Sequence, residues 1–376
     1  MRIPLSAPDI TEAEIDAVTA VLRTPSLSLG PRLPAFETSF AARVGSRHAV
    51  AVSSGTAGLH LGVRACGIGP GDEVITTPFS FVASANAILY ERGVPVFVDV
   101  ERDSLNIDPS RIEAAITPRT RAILPVHVFG RPAPMEPILE IAARRGLAVL
   151  EDACEALGAE VGGHAAGTLG RCGVFGFYPN KQITTGEGGM IVTNDDDVAA
   201  LCRSLRNHGR DDGAPAMEHA RLGYNYRLSE IACALGMAQL GRLDRLLQDR
   251  ASVARRYHER LEGCAGLILP AMDPPGARVS WFVYVVRLGE GWTRGERDRI
   301  VADMESRGIG CRPYFPVLHL QPHLRAALGH QPGDFPEAES AADRTLALPF
   351  HGRLSEGEIG EVCAALLGLL GTGRSR

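Results

Sequence analysis

No CxxC pair occurs among the eight cysteines of this 376-residue chain, which stand apart at 66, 154, 172, 202, 233, 264, 311 and 363. That spacing argues against a disulfide framework and against a zinc site, and it favours buried free thiols in a reducing compartment. Runs of like charge are also missing, and the formal net charge is only −5. Nothing therefore advertises a nucleic-acid partner, and any ligand must be held by a local site and not by the overall field. The N-terminal MRIPLSAPDI lacks the apolar stretch of a signal peptide, and no uncharged apolar run is long enough to span a bilayer. The expectation is a cytoplasmic protein without membrane contact. No internal repeat is present.

What is there is ordinary for a globular protein: 45% hydrophobic and 22% charged residues, in a chain too long for one simple core. Thr11 and Glu14 form a capping-box pattern before a helix through Leu22. Apolar runs at 49–54, 73–78, 94–99, 122–129, 147–152, 174–179 and 190–194 read as strands, with helical patterns between most of them. Near-continuous Val/Ile/Leu strands alternating with helices predict an α/β fold, with a buried, mostly parallel sheet covered by helices on both faces. Beyond 196 the pattern turns helical, at 198–207 and as one stretch at 229–262. A strand at 281–288, a helix at 294–306, a second strand at 311–315 and a closing helix from Ser355 suggest a smaller α+β domain. The expected division is 1–247 and 248–376, with the GTGRSR tail frayed.

Four segments carry chemistry. In FGFYPNKQITTGEGGM (175–190) an apolar strand delivers Lys181 to a turn rich in Thr and Gly. A lone lysine is usually a surface residue. One at a buried strand end, beside glycines that admit a ligand, can lose its proton and attack a carbonyl as a Schiff-base lysine. In AVLEDACEALGA (148–159) a strand brings Glu151 and Asp152 to its carboxyl end, where open α/β sheets place ligands. A carboxylate there suits the ring nitrogen of pyridoxal phosphate, and a helix cap is the plain alternative. VSSGTAGLH (52–60) runs a strand into a small-residue turn that opens a helix, an arrangement suited to a phosphate. TTPFSFVASAN (76–86) sets Phe79 and Phe81 at a strand end, for ring stacking or for core packing.

These segments, with GYNYRLSE (223–230) and CRPYFPVLHLQP (311–322), occur in the order found in the DegT/DnrJ/EryC1/StrS family, and the chain resembles that family over nearly its whole length. The resemblance implies the aspartate-aminotransferase fold (fold type I), pyridoxal phosphate as cofactor and a keto sugar as amino acceptor. Lys181 would be the Schiff-base lysine and proton carrier, and Asp152 the partner of the ring nitrogen. Gly55, Thr56 and Ala57 would hold the phosphate, with Phe81 on the ring. Asn225 would reach the cofactor of a neighbouring subunit, making the unit a homodimer, while Arg227, Tyr314 and His319 are candidates for the substrate. The loop at 210–220 and the segment 312–330 are expected along the sugar pocket.

Two positions depart from the family pattern. Gly176 stands where a phosphate-binding Ser is usual, and Glu155 where Gln or His is common near the cofactor's phenolic oxygen. A carboxylate there is expected to be protonated, turned away, or part of the substrate site. Lys181 separates the chain from dehydratases of the family that carry His instead. The TTGEGG turn resembles enzymes that aminate C4 of a nucleotide-linked 4-keto-6-deoxyhexose, with L-glutamate as donor. A C3-specific transaminase, or a cofactor-binding regulatory protein, is the alternative; the lack of a basic patch speaks against the latter.

Overall fold

The near-continuous apolar residues along each short run decide the architecture. In the computed structural model, which describes residues 1–373 except 216 and 273, seven strands form one sheet. They are β1 (His48–Val52), β2 (Glu73–Thr76), β3 (Val94–Phe97), β4 (Thr120–Ile123), β5 (Ala148–Asp152), β6 (Cys172–Gly176) and β7 (Gly189–Thr193). Their order is β1-β7-β6-β5-β4-β2-β3. Pairing is parallel from β6 through β5, β4 and β2 to β3, whereas β7 runs antiparallel to both its neighbours. Val50, Val52, Leu150, Val174 and Ile191 face one way, against the helices Gly55–Ala65 and Asp196–Arg206. The residues next to them, Ala51, Val149, Phe175, Met190 and Val192, face helices on the other side. A period of two with both faces buried is what produced continuous apolar runs in the sequence.

Helix Gly55–Ala65 approaches the sheet closely. A Cβ on Gly58 would stand 2.6 Å from a Val174 methyl, and one on Gly62 would stand 2.7 Å from a Leu150 methyl. Glycine at both positions lets the helix N-terminus lie over the sheet edge where β1, β5 and β6 end.

A second, antiparallel sheet combines Leu267–Ile268, Tyr284–Leu288 and Thr345–Leu348, in that order. The strand expected at 311–315 is not formed; only Arg312 bridges to Ala347. Pro313 and Pro316 cannot donate to a ladder, so the segment adds no full strand beside Thr345–Leu348. The run at 122–129 likewise ends as strand at Ile123, with Pro125 behind it and Phe129 in a left-handed conformation (φ 58°). The stretch at 229–262 divides into Glu230–Gly241 and Leu243–Leu261, with Arg242 as the joint. In the second of these helices Leu243 and Leu246 pack with the large sheet, while Val253, Ala254, Tyr257 and Leu261 pack with the small one. Ile3, at the start of the chain, belongs to the core of the small sheet. The tail from Gly371 enters the helix Glu356–Gly373, and its last three residues lie outside the described residues. No helix among the described residues is long and apolar enough to cross a membrane.

The capping box at Thr11 does more than start a helix. Glu14 accepts from the Thr11 N–H and hydroxyl, and its other oxygen accepts from Gln239 (2.9 Å) and Arg242 (2.8 Å). Burial alone would push this carboxyl up, but the bonds from Thr11, Arg242 and Gln239 outweigh it and hold it at about 2. A depressed carboxyl contributes stability that is present above its ordinary value and fades as pH falls toward the depressed one. Glu14→Gln should therefore lower stability at pH 7 by roughly 2–3 kcal/mol. Urea midpoints should converge with wild type between pH 4.5 and about 2. A difference undiminished at pH 2 would assign the loss to packing instead.

Candidate active site

Because β1, β2, β5 and β6 point the same way, their carboxyl ends share one edge, and a cleft of about 520 Å³ opens there. Larger hollows of about 620 and 660 Å³ lie elsewhere and are lined by none of the residues expected to act. Gly55, Thr56, Phe81, Asp152, Glu155, Lys181 and Tyr314 all line the cleft.

The lysine is placed by a tight return of the chain. After β6, the Thr184 hydroxyl donates to the Phe177 carbonyl (3.0 Å) and the Gly186 N–H donates to the Thr184 hydroxyl (2.9 Å). Gly186 takes φ +80°, a conformation that asks for glycine in TTGEGG. From the far side, the Arg250 guanidinium donates to the carbonyls of Lys181 (2.7 Å) and Asn180 (3.3 Å). Lys181 Nζ then sits 3.9 Å above the Phe282 ring and 3.6 Å from Glu155 Oε1. Glu155 is buried and accepts the Phe129 N–H at 2.9 Å through its other oxygen. Burial pushes the Glu155 carboxyl up, with the Lys181 charge opposing. Of the three outcomes left open for this residue, turning away is excluded.

Asp152 ends β5, buried, with one oxygen accepting the Ser84 hydroxyl (2.7 Å) and the other the Cys154 N–H (3.1 Å). Its neighbour Glu151 faces the opposite side of the sheet and is consumed there by the N–H groups of Gly167, Leu169 and Gly170 and by His127. Gly55 and Thr56 begin the helix at the cleft, whereas the Ala57 N–H is taken by the Ser54 cap (3.0 Å) and its side chain turns into the core. Phe81 is 60% exposed on the cleft rim, while Phe79 is buried against Phe129 and Phe315.

Four expected residues are not brought into this cleft: Ala57, His319, Asn225 and Arg227. His319 is fully buried and bonds Glu339 at 3.0 Å; burial lowers its pKa, with Glu339 opposing. It packs as a core histidine, so its place in the substrate set is corrected. Asn225 is exposed and Arg227 donates to Asn207 (3.1 Å); neither lines the cleft of its own chain. The described part of the 210–220 loop also stays outside it, and Ala216 is not among the described residues.

Sequence reading passed over Ser84, Cys154 and Phe282, which only the folded chain brings together. Cys154 packs tightly on both glycines: a Cβ on Gly176 would lie 3.3 Å from the Cys154 Cβ, and one on Gly55 would lie 3.0 Å from its sulfur. One strong signal was available and unread. Lys181 is the only lysine in the chain; every other basic side chain apart from histidine is arginine. Arginine cannot deprotonate to act as a nucleophile, so one side-chain amine exists for carbonyl chemistry.

A sole lysine and a buried aspartate line one cleft at the carboxyl edge of this sheet, an arrangement suited to a lysine-dependent transaminase of the aspartate-aminotransferase architecture. The family model for the DegT/DnrJ/EryC1/StrS aminotransferase family matches residues 8–367, and the chain belongs to that family. It is 42% identical over 370 residues to GDP-perosamine synthase of Caulobacter vibrioides, covering 97% of each chain. Among solved structures it is similar to S. venezuelae DesV, with 36% identity, a TM-score of 0.88 and coverage of 94% of this chain and 93% of that one. The sugar aminotransferase Spr1654 of Streptococcus pneumoniae in its PLP form superimposes with a TM-score of 0.94 at 27% identity, over 99% of both chains.

Ser84→Ala removes one of the two donors that fix Asp152. The expected cost is about 1 kcal/mol, or roughly a fivefold loss of pyridoxal phosphate affinity with the fold retained. Fluorescence titration with the cofactor checks it; unchanged affinity would separate Ser84 from the orientation of Asp152.

Proposed function

We propose that this chain transfers an amino group from L-glutamate to a nucleotide-linked 4-keto-6-deoxyhexose, with pyridoxal phosphate carried by Lys181. The observation that carries the reading is the single side-chain amine of the chain, lining one cleft with buried Asp152 in a member of an aminotransferase family. The donor set fits the cofactor. Gly55 and Thr56 present helix N–H groups that bond no acceptor among the described residues, suited to a phosphate. Asp152 is a carboxylate held in a fixed orientation, suited to a protonated ring nitrogen, and Phe81 offers an aromatic face. When bound, pyridoxal phosphate supplies a carbonyl that joins to amines and a cationic ring that withdraws electrons from the bond being broken.

The residues then divide the work. Lys181 would hold the cofactor through its amine and, when free, would carry a proton at Nζ. Asp152 would hold the proton on the ring nitrogen. Phe282 and Tyr314 wall the cleft and restrict water around the lysine. TTGEGG resembles the turn of C4-aminating enzymes, and the relative named GDP-perosamine synthase supports a GDP-linked sugar as the first substrate to test. Free cysteines throughout support a cytoplasmic location.

Borohydride reduction of the loaded protein should add the pyridoxyl mass to the Lys181 peptide. Lys181→Arg should take up none and lose transamination by a factor on the order of a thousand. A panel of GDP-, UDP- and dTDP-linked 3-keto and 4-keto sugars, with glutamate, tests the acceptor. Product from 3-keto sugars alone would overturn the C4 assignment.

The functional unit in this reading is a C2 homodimer whose clefts are completed by Asn225 of the second copy. Supporting it, Asn225 lies exposed outside its own cleft, and Tyr178, Leu222 and Leu29 leave apolar surface uncovered. Mixing Lys181→Ala chains with Asn225→Ala chains should restore activity in heterodimers, where one cleft holds both residues. A fully active monomer by light scattering at assay concentration, or no complementation in isolated heterodimers, would defeat this.

A further inference from the structure

We infer that Glu155 is the positioning residue for Lys181, an acidic partner that receives the lysine's ammonium whenever its nitrogen is not joined to another group. This rests on the reading that Lys181 carries the cofactor and goes beyond it by assigning the partner that holds the lysine between bonds. The geometry is specific. Glu155 is buried, one carboxyl oxygen is fixed by the Phe129 N–H at 2.9 Å, and the other lies 3.6 Å from Nζ. The residue's own carbonyl is tied to Gln182 Nε2 at 2.6 Å, so the carboxylate and the lysine loop are held in one frame. Phe282 covers the opposite side of the amine at 3.9 Å.

Amino transfer requires the lysine to take a proton from one carbon and return it to another. An ammonium buried without a counter-charge is costly. A carboxylate beside it lowers that cost and keeps the proton near the carbon that must receive it. The other ionisable groups around the pair do not replace Glu155. Asp152 faces Ser84 and the Cys154 N–H, and the Cys154 thiol is pushed well up by burial and by Asp152. The Tyr314 hydroxyl is raised by burial and by Glu155 itself. Arg250 is spent on backbone carbonyls, and Glu187 and Tyr178 stand on the rim. Because burial raises the Glu155 carboxyl, the pair forms only above a pH higher than an ordinary glutamate would set.

The chain's single lysine permits a direct test. Protein labelled with 13Cε-lysine gives one lysine signal, and loading with pyridoxamine phosphate leaves the amine free. In wild type that signal should show an inflection above the usual glutamate range as Glu155 ionises. The inflection should vanish in Glu155→Gln, which keeps the size and an acceptor for Phe129 N–H, and should survive in Asp152→Asn. Trinitrobenzenesulfonate should label Lys181 several-fold faster at pH 8 in Glu155→Gln than in wild type, with Glu155→Asp between them. An inflection that persists in Glu155→Gln, or equal labelling rates in folded variants, would overturn the proposal. Failure of borohydride to tag Lys181 would instead overturn the cofactor reading, whatever the lysine signal does.

Discussion

The buried guanidinium of Arg250 is the contact through which the two sheets share one site. Among the described residues it meets no carboxylate. Instead it donates to the carbonyls of Phe282 (3.1 Å), Lys181 and Asn180, and its planar group lies over Phe350 at 5.7 Å. A buried cation is tolerable only when its donors are satisfied, and three backbone carbonyls do this without neutralising the charge. The bonds tie helix Leu243–Leu261 to the lysine loop from the large sheet and to the segment that leads into the small one. Phe282, which covers the amine, is fixed by the same group. Lysine at 250 would offer a point charge where a planar fork is needed.

The parallel sheet was legible because strands buried on both faces have no polar alternation to blur them. The chemistry at strand ends was legible for the same reason: parallel strands deliver their carboxyl ends to one edge, so Lys181, Asp152 and Gly55 had to converge. Legibility failed where backbone chemistry overrode side-chain pattern. Cys311–Phe315 looks like a strand by composition, yet Pro313 within it and Pro316 after it remove donors a ladder needs. His319 sits in a motif that resembles a substrate segment, but its neighbours Phe335 and Glu339 lie later in the chain, and only folding shows that they enclose it. Ser84 was unreadable because its partner is 68 residues away.

Gly176 shows a departure from a family pattern becoming physical. Read alone, glycine in place of serine means a lost phosphate donor. In the fold, a Cβ at 176 or 55 would press on Cys154, at 3.3 Å from its Cβ and 3.0 Å from its sulfur respectively, so the three positions are packed against one another. The strand end and the helix start come close because two of the three residues facing each other have no Cβ.

The cleft also sorts its charges. Burial raises the acids that would otherwise crowd it, pushing up the Cys154 thiol, the Tyr314 hydroxyl and the Glu155 carboxyl. Asp152 is the acid given two fixed donors, one from Ser84 and one from the turn it begins. Glu155 receives one, and beside it an amine that can carry a proton away. Two buried carboxylates three residues apart thus have different partners, Asp152 two hydrogen-bond donors and Glu155 one donor beside the Lys181 amine. In the proposed reading, that difference suits Asp152 to face a ring nitrogen and Glu155 to receive the lysine's ammonium.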